Sequence, residues 1–516
     1  MPSHHTSRLL FTCALLFITA CGGGGGSSGG GGPVIGGAQS DFDRGIFSAS
    51  STYKDQCQNP RAGTSDIQGS TSDENNWLRA WSHDLYLWYD EIADVDPDLH
   101  TTPAYFDLMR TFETTPSGAD KDQFHFSYDT EFWIQLSQSG TSAGYGADIV
   151  LLSATPPRRA VVATVQVGSP ADMAGITRGT VIVSVDGVDV ANGSDVDTLN
   201  AGLFPSTTGE SHDFGIEDFD GSNARTVTLV SADVTIDTVP VAQVINTGAG
   251  PVGYMVFDAF LAPSEARIVD EMQNFANAGI TELILDLRYN GGGFLDIANE
   301  LAYMIAGPSA QGLIFEELQF NDKHPNVDPV TGQTLTPDPF LTTAQGFSVP
   351  SGTPLPTLNL SRVIILSGPQ TGSASESVIN GLRGINFPVI LIGETTTGKP
   401  YGFYPTDNCG TTYFSIQFRG VNAQGFGDFA DGFIPTLTPV EDYEVRGCEV
   451  ADDFSRELGD PDEDRLQTAL GYVISNDCSA APITVSQAQF RSAVSNGNSG
   501  PALHKPTRIP GAIRTP

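Results

Sequence analysis

The chain has 516 residues, 39% hydrophobic and 17% charged, enough to bury a core in about two to four domains. Its formal net charge is −36, and lysine is confined to Lys54, Lys121, Lys323, Lys399 and Lys505. So acidic a surface repels phosphate and argues against a nucleic-acid partner, which needs a basic face; it keeps a protein soluble instead.

Leu9 to Ala20 is an apolar run too short to span a bilayer and suited to the core of a signal peptide. It ends in Ile18-Thr19-Ala20-Cys21, which resembles the bacterial lipobox. That resemblance implies a signal over residues 1–21, with Cys21 lipidated as the new N-terminus and the membrane reached through the lipid. Gly22 is not the Asp that tends to mark inner-membrane retention in such lipoproteins. The expected place is therefore the cell envelope, on the outer membrane facing the periplasm. The Gly/Ser tract Gly22 to Gly37 reads as a flexible tether, and 22–70 as tether plus irregular chain. Cys57, Cys409, Cys448 and Cys478 remain, an even number that suggests two disulfides in an exported protein. The favoured pairing is Cys409–Cys448 with Cys57–Cys478. No CxxC spacing occurs, so a zinc site is not expected; no other metal and no cofactor is expected either.

Residues 71–130 read as a helical N-terminal domain. Thr71 and Glu74 suggest a capping box, Trp77, Trp81, Leu85 and Trp88 follow at helical spacing, and Thr102-Pro103 opens a second helix with Tyr105, Phe106 and Met109. Over 131–235 the pattern turns to short β-runs: 149–152, 161–167, 181–185 and 226–230. Ser169 caps a short helix with Pro170 in its first turn. The stretch Gly168-Ser169-Pro170-Ala171-Asp172-Met173-Ala174-Gly175-Ile176, the turn Asp186-Gly187 and the upstream loop Tyr145-Gly146-Ala147-Asp148 resemble a PDZ domain of the bacterial protease type. The resemblance implies that the 145–148 loop captures a peptide C-terminal carboxylate while the peptide adds a strand to the sheet edge.

From 236 to 475 strands alternate with helices, as in an α/β core with a buried sheet. Strands are expected at 252–257, 282–287, 362–366 and 389–392, and helices at 264–278, 295–305, 374–383 and 460–474. The Pro-, Gly- and Thr-rich span 307–357 reads as an insertion or substrate-facing loop. Residues 476–516 read as a disordered tail. The fold expected is thus α/β and α+β multidomain: a helical segment, a PDZ β-domain and an α/β core.

Three segments carry chemistry. Asp286-Leu287-Arg288-Tyr289-Asn290-Gly291-Gly292-Gly293 runs a strand into three glycines that allow close backbone approach. Gly372-Ser373-Ala374-Ser375-Glu376 opens a helix, where free N–H groups favour a developing oxyanion, though serine there is commonly a mere cap. Gly393-Glu394-Thr395-Thr396-Thr397-Gly398-Lys399 matches part of a phosphate loop, but Pro400 stands where the Mg²⁺-binding hydroxyl belongs. Helical segment, PDZ domain and these three motifs, in this order, resemble the C-terminal processing (tail-specific) serine peptidases over residues 75–475. The resemblance implies an endopeptidase that selects proteins by their free C-terminal tails, with Ser373 as nucleophile and neutral Lys399 as general base. It also implies an oxyanion hole at the N–H groups of Ala374 and one of the three glycines, here taken as Gly292. The family often places Gln four residues after the Lys; Phe403 stands there instead. Glu376 and His125 are candidate supports, and Ser375 a second candidate nucleophile. The competing expectation is an inactive, peptide-binding lipoprotein that keeps the fold.

Overall fold

The computed structural model describes residues 42–115, 117–479, 503 and 512–515. The signal segment, Cys21 and the glycine tether lie outside these residues. Among the described residues no helix is long and apolar enough to cross a membrane.

The core is a seven-stranded sheet ordered Val241–Thr247, Gly250–Val256, Glu282–Asp286, Val363–Ser367, Val389–Gly393, Glu444–Glu449, Ile434–Thr436. The first pair is antiparallel and all the others are parallel. Runs such as Val363-Ile364-Ile365-Leu366 are wholly buried, as a sheet covered on both faces requires. Alternation still sorts them. Leu283, Leu285, Val363, Ile365 and Leu391 pack with helices Ser264–Ala278, Leu295–Ala306 and Ala374–Gly384. Ile284, Ile364, Leu366, Ile390 and Ile392 face Leu466, Ala469 and Tyr472 of helix Asp464–Ser475. The Ser264–Ala278 helix buries Ile268, Met272 and Phe275 at helical spacing and ends on Gly279 in the left-handed conformation. Observed bounds differ from the expected ones by a residue or two, except that the last helix starts at Asp464 rather than 460.

The N-terminal helix Thr71–Leu85 is capped one residue earlier than expected. Ser70 forms the box with Asp73, while Glu74 accepts from the Gln58 N–H and the Thr102 hydroxyl. The second helix is shorter than expected, Thr102–Phe106, and Met109 is buried beyond its end. The β-rich part forms a sheet ordered Arg225–Val230, Ser211–Glu217, Val181–Val185, Arg159–Val165, Ala147–Ser153, with helices Pro170–Met173 and Val196–Leu203. Arg178 fastens this sheet to the core: its guanidinium donates to Ala163 O, the Tyr289 hydroxyl and Asp452 Oδ1. Asp452 is also held by Arg288, whose other partners are Asp286 and Glu463, so the buried charges are paired.

Three expectations need correction. The disulfides are Cys57–Cys409 and Cys448–Cys478. Cys409 sits between strands Thr406–Asn408 and Thr411–Phe414, where the N-terminal segment docks through Asp55 N–H on Asn408 Oδ1. Cys448 lies in the central sheet, beside the end of the last helix. The 307–357 span is not only loop, since Ile314–Gln319 pairs antiparallel with Phe418–Val421. Finally, the described part of the tail is ordered. Leu503 is buried among the β-module's apolar residues and donates its N–H to Ala154 O, and Ala512–Ile513 is a buried strand parallel to Tyr401–Phe403. Residues 480–502 and 504–511 lie outside the described residues.

Candidate active site

Parallel neighbours end at the same edge of a sheet, and clefts in such folds open beyond their carboxyl ends. The three chemistry-bearing motifs use that geometry. The glycine run leaves Glu282–Asp286, the Ser373 turn follows the adjacent Val363–Ser367, and the Lys399 loop follows the next strand, Val389–Gly393. Residues far apart in sequence are thereby delivered to one place.

Ser373 is fully buried and holds φ 58°, ψ −112° just before the Ala374–Gly384 helix. A positive φ at a non-glycine residue is strained and must be imposed by its surroundings. Asn290 supplies part of that constraint: its carbonyl accepts from Gly372 N–H and from Ser375 Oγ, both at 3.0 Å. The Ser375 hydroxyl is thus committed to a backbone carbonyl. Asn290 Nδ2 in turn donates to Phe257 O at 2.9 Å. A Cβ on Gly292 would lie 3.0 Å from both Ala374 N and Ser373 Cβ, so the glycine permits the loops' close approach. The Gly292 N–H itself donates to Asn290 Oδ1 at 2.9 Å. Gly292 therefore has its N–H spent inside the loop, which corrects its assignment as the second oxyanion donor in this arrangement. Ala374 stands at the helix's first position, where the N–H groups point out of the helix.

Lys399 is 5% exposed, with Nζ 4.1 Å from the Phe403 ring centroid and 4.6 Å from that of Phe124. Burial among these rings pushes its pKa down to about 7, with Asp122 and Glu376 opposing the shift. Phe403 at the expected Gln position thus desolvates the amine instead of orienting it. No hydrogen bond joins Ser373 Oγ and Lys399 Nζ among the described residues; Ser373 Oγ accepts from the N–H of Ala512, in the tail strand. His125 forms no hydrogen bond with the amine among the described residues. It is stacked on Phe106, with Nε2 against Phe106 O at 2.8 Å, and burial lowers its pKa. Its stretch contributes through Phe124 and Asp122 instead. Asp122 is buried and accepts from the Tyr86 hydroxyl at 2.6 Å and from Phe124 N–H at 2.9 Å. Sequence reasoning missed Asp122, whose signal was only an acidic residue two positions before an aromatic one.

The loop Tyr145-Gly146-Ala147-Asp148 precedes and enters the edge strand Ala147–Ser153. Tyr145 is buried, with its hydroxyl on Gly202 O and its carbonyl taking the Ala171 N–H. Gly146, at φ 77°, passes so close to Ser169 that a Cβ would lie 2.2 Å from it. A cavity of about 360 Å³ runs from this loop to the motif region: Gly146 and Asp148 line one side, and Gly291, Gly372, Thr397 and Lys399 the other.

One carboxylate unites the serine and lysine loops. Buried Glu376 accepts from Ser373 N–H and Lys399 N–H on Oε2, both at 2.8 Å. Its Oε1 takes Gly398 N–H at 2.8 Å and the Thr396 hydroxyl at 2.5 Å. Burial raises the Glu376 pKa while these four donors pull it down. Glu376→Gln turns one oxygen into an NH₂ group facing N–H donors. It should keep the fold but lower unfolding free energy by about 1–3 kcal/mol and slow any Ser373-dependent cleavage by about tenfold or more. Denaturant unfolding and turnover of the purified variant measure both. Wild-type values for both would show that Glu376 does not hold the loops together.

The profile of peptidase family S41 matches residues 251–403, which hold the glycine run, Ser373 and Lys399. A chloroplastic C-terminal processing peptidase of Tetradesmus obliquus is 28% identical over 268 residues, 50% of this chain and 49% of that protein. The carboxyl-terminal-processing protease of Picosynechococcus sp. is 26% identical over 278 residues, 52% of this chain and 56% of that protein. The chain spans about half the length of these curated relatives. A solved S41-type protein of Bacteroides fragilis superimposes with a TM-score of 0.56 at 23% identity, covering 81% of this chain and 99% of that one, a likeness of fold. The glycine run, the serine turn and the lysine loop, on adjacent strand ends, thus all fall in the part of the chain that matches the peptidase family S41 profile, and the chain is similar over about half its length to C-terminal processing peptidases.

Proposed function

We propose that this protein is an exported, lipid-anchored serine endopeptidase that cuts proteins chosen by their free C-terminal tails, with Ser373 and Lys399 as its catalytic pair. The observation that carries the reading is Lys399: a buried amine, brought to a pKa of about 7, on a loop tied by one carboxylate to the backbone of Ser373. In the chemical step neutral Lys399 Nζ takes the Ser373 Oγ proton as Oγ attacks the substrate carbonyl carbon. Nζ must close on Oγ for this, as catalytic contacts commonly do when substrate binds. The Ala374 N–H, at the positive end of its helix, meets the developing oxyanion. The protonated Nζ then gives its proton to the leaving amide nitrogen, and water releases the acyl group. The PDZ-like module captures the substrate's C-terminal carboxylate at the 145–148 loop, one cavity away from the lysine.

Only the deprotonated amine can act as a base, so activity is low below the Lys399 pKa, rises through about pH 7 and levels off above it. Ser373→Ala should abolish cleavage of an unfolded protein, and Lys399→Arg should slow it about 10²–10⁴-fold, because guanidinium stays protonated. A flat rate between pH 6 and 8, or wild-type turnover by Lys399→Arg, would eliminate lysine as the base.

For recognition, an apolar-tailed peptide should bind about tenfold or more tightly with a free C-terminus than with an amidated one. Equal affinities by titration calorimetry would remove the carboxylate-capture step.

For location, the Ile18-Thr19-Ala20-Cys21 sequence supports a lipid anchor. Cys21→Ala should move the protein from the membrane fraction to the soluble fraction of the envelope. Unchanged membrane fractionation would refute the anchor.

A further inference from the structure

The described end of the tail passes Ser373 as an extended strand. Ala512 stands opposite Gly402 and Ile513 opposite Phe403 on one side, and Ile513 opposite Phe294 on the other. Ile513 N–H donates to Gly293 O at 2.9 Å and Arg514 N–H to Phe403 O at 3.1 Å. Ala512 and Ile513 are 4% and 1% exposed and belong to the same apolar cluster as Phe294 and Phe403. Arg514 then enters an acidic pocket, pairing with Asp296 at 2.8 Å and with Asp338. Glu316 is a third carboxyl group there. It is 6% exposed, and its Oε2 has no hydrogen-bond partner among the described residues. Burial pushes its pKa up to about 7, and the Arg514 charge opposes the shift. Such a pocket favours a basic side chain over any other.

The contact with the nucleophile blocks it without offering it a bond to cut. Ser373 Oγ accepts from the Ala512 N–H. An N–H lies in the plane of its peptide, whereas acylation needs Oγ over the face of a carbonyl carbon. The strand cannot drift into a reactive register, because pairing on both sides fixes it. A slip of one residue would take Ile513 out of its apolar position and Arg514 away from its carboxylates. We infer that Ala512–Arg514 is a built-in inhibitor of the Ser373 site, held by Arg514 in the Asp296, Asp338 and Glu316 pocket, and displaced by substrate rather than cut. The inference rests on the Ser373–Lys399 reading. The groove it fills accepts an extended segment in which a basic residue follows an apolar one.

Only molecules with the strand out can take substrate, so a groove filled nine-tenths of the time slows cleavage about tenfold. The experiment compares the full chain, a chain ended at Gly511 and full-length Arg514→Glu, each purified and dosed with an unfolded protein. The shortened chain and Arg514→Glu should cleave it about tenfold or more faster than the full chain. Intact mass should show the full chain still ending at Pro516. A peptide copying residues 512–516, acetylated so that Ala512 keeps an amide N–H, should raise KM of the shortened chain and leave kcat unchanged. By titration calorimetry that peptide should bind the shortened chain about tenfold or more tightly than the full chain, whose groove is occupied. The same peptide with Arg514→Glu should bind the shortened chain about tenfold or more weakly. Equal turnover by all three chains would overturn the inference and leave the peptidase reading standing. Loss of residues 512–516 from the full chain as it becomes active would also overturn it, because the strand would then be cut. Equal peptide affinity for the full and shortened chains would overturn the occupancy whatever the activity. Inertness of all three chains would overturn the peptidase reading and the inhibitory role with it.

Discussion

The carboxylate of Glu376 is the interaction on which the site's arrangement depends. It lies in the first turn of the helix that follows Ser373, inside apolar surroundings where an unpaired charge would be costly. Four donors meet it, three of them backbone N–H groups of the serine turn and the lysine loop. Each of those groups would be unsatisfied without it, and the carboxylate would be stranded without them. The two loops are therefore held by mutual need, and the positive φ of Ser373 persists because Glu376 and Asn290 fix the backbone on either side of it. Thr396 extends the constraint by accepting the Phe433 N–H, which ties the lysine loop to the segment beside the last sheet strand.

With the loops fixed, the lysine amine lies against the rings of Phe403 and Phe124. Moving its pKa from 10.5 to about 7 amounts to roughly 5 kcal/mol disfavouring the charged form. Phe403 and Phe124 come from different parts of the chain, one after the lysine loop and one from the N-terminal third. The N-terminal helical part is thus more than a support. Through Tyr86, Asp122 and Phe124 it builds one wall of the lysine's environment. Asp122 opposes the desolvation, so the amine's acidity is a balance between burial and a neighbouring charge.

The β-rich module is tied to the same framework. Arg178 reaches from it to Asp452 and Tyr289, and Arg288 shares Asp452 from the strand exit that leads into the glycine run. These pairs are buried and mutually satisfied, which favours one orientation of module and core over others. The cavity between the 145–148 loop and Lys399 exists because that orientation leaves space there. The strand at Ala512–Ile513 runs along Tyr401–Phe403, and Arg514 beyond it pairs with Asp296 and Asp338.

Much of this was legible in the sequence. Unbroken apolar runs such as Val363 to Leu366 announce a sheet covered on both faces, because only a strand needing no polar face carries such a pattern. The glycine, serine and lysine motifs were legible in chain order, but it is the fold that makes their strands neighbours in one parallel sheet and so brings them to one edge. What the sequence could not settle were matters decided by residues distant along the chain. Cys57 pairs with Cys409, 352 positions away, because the N-terminal segment docks beside the 406–414 hairpin, and local spacing carries no trace of that contact. Phe403 reads as a lost polar partner in one dimension and becomes the apolar lid of the amine in three. Gly292 offers an N–H by composition, but Asn290 claims it through a turn that only the folded loop forms. The tail has the composition of disordered chain, yet Ala512 and Ile513 are buried, because two waiting strand edges satisfy their backbone and an acidic pair receives Arg514. Composition reports whether a segment can bury itself; only the tertiary structure decides whether another part of the chain will bury it.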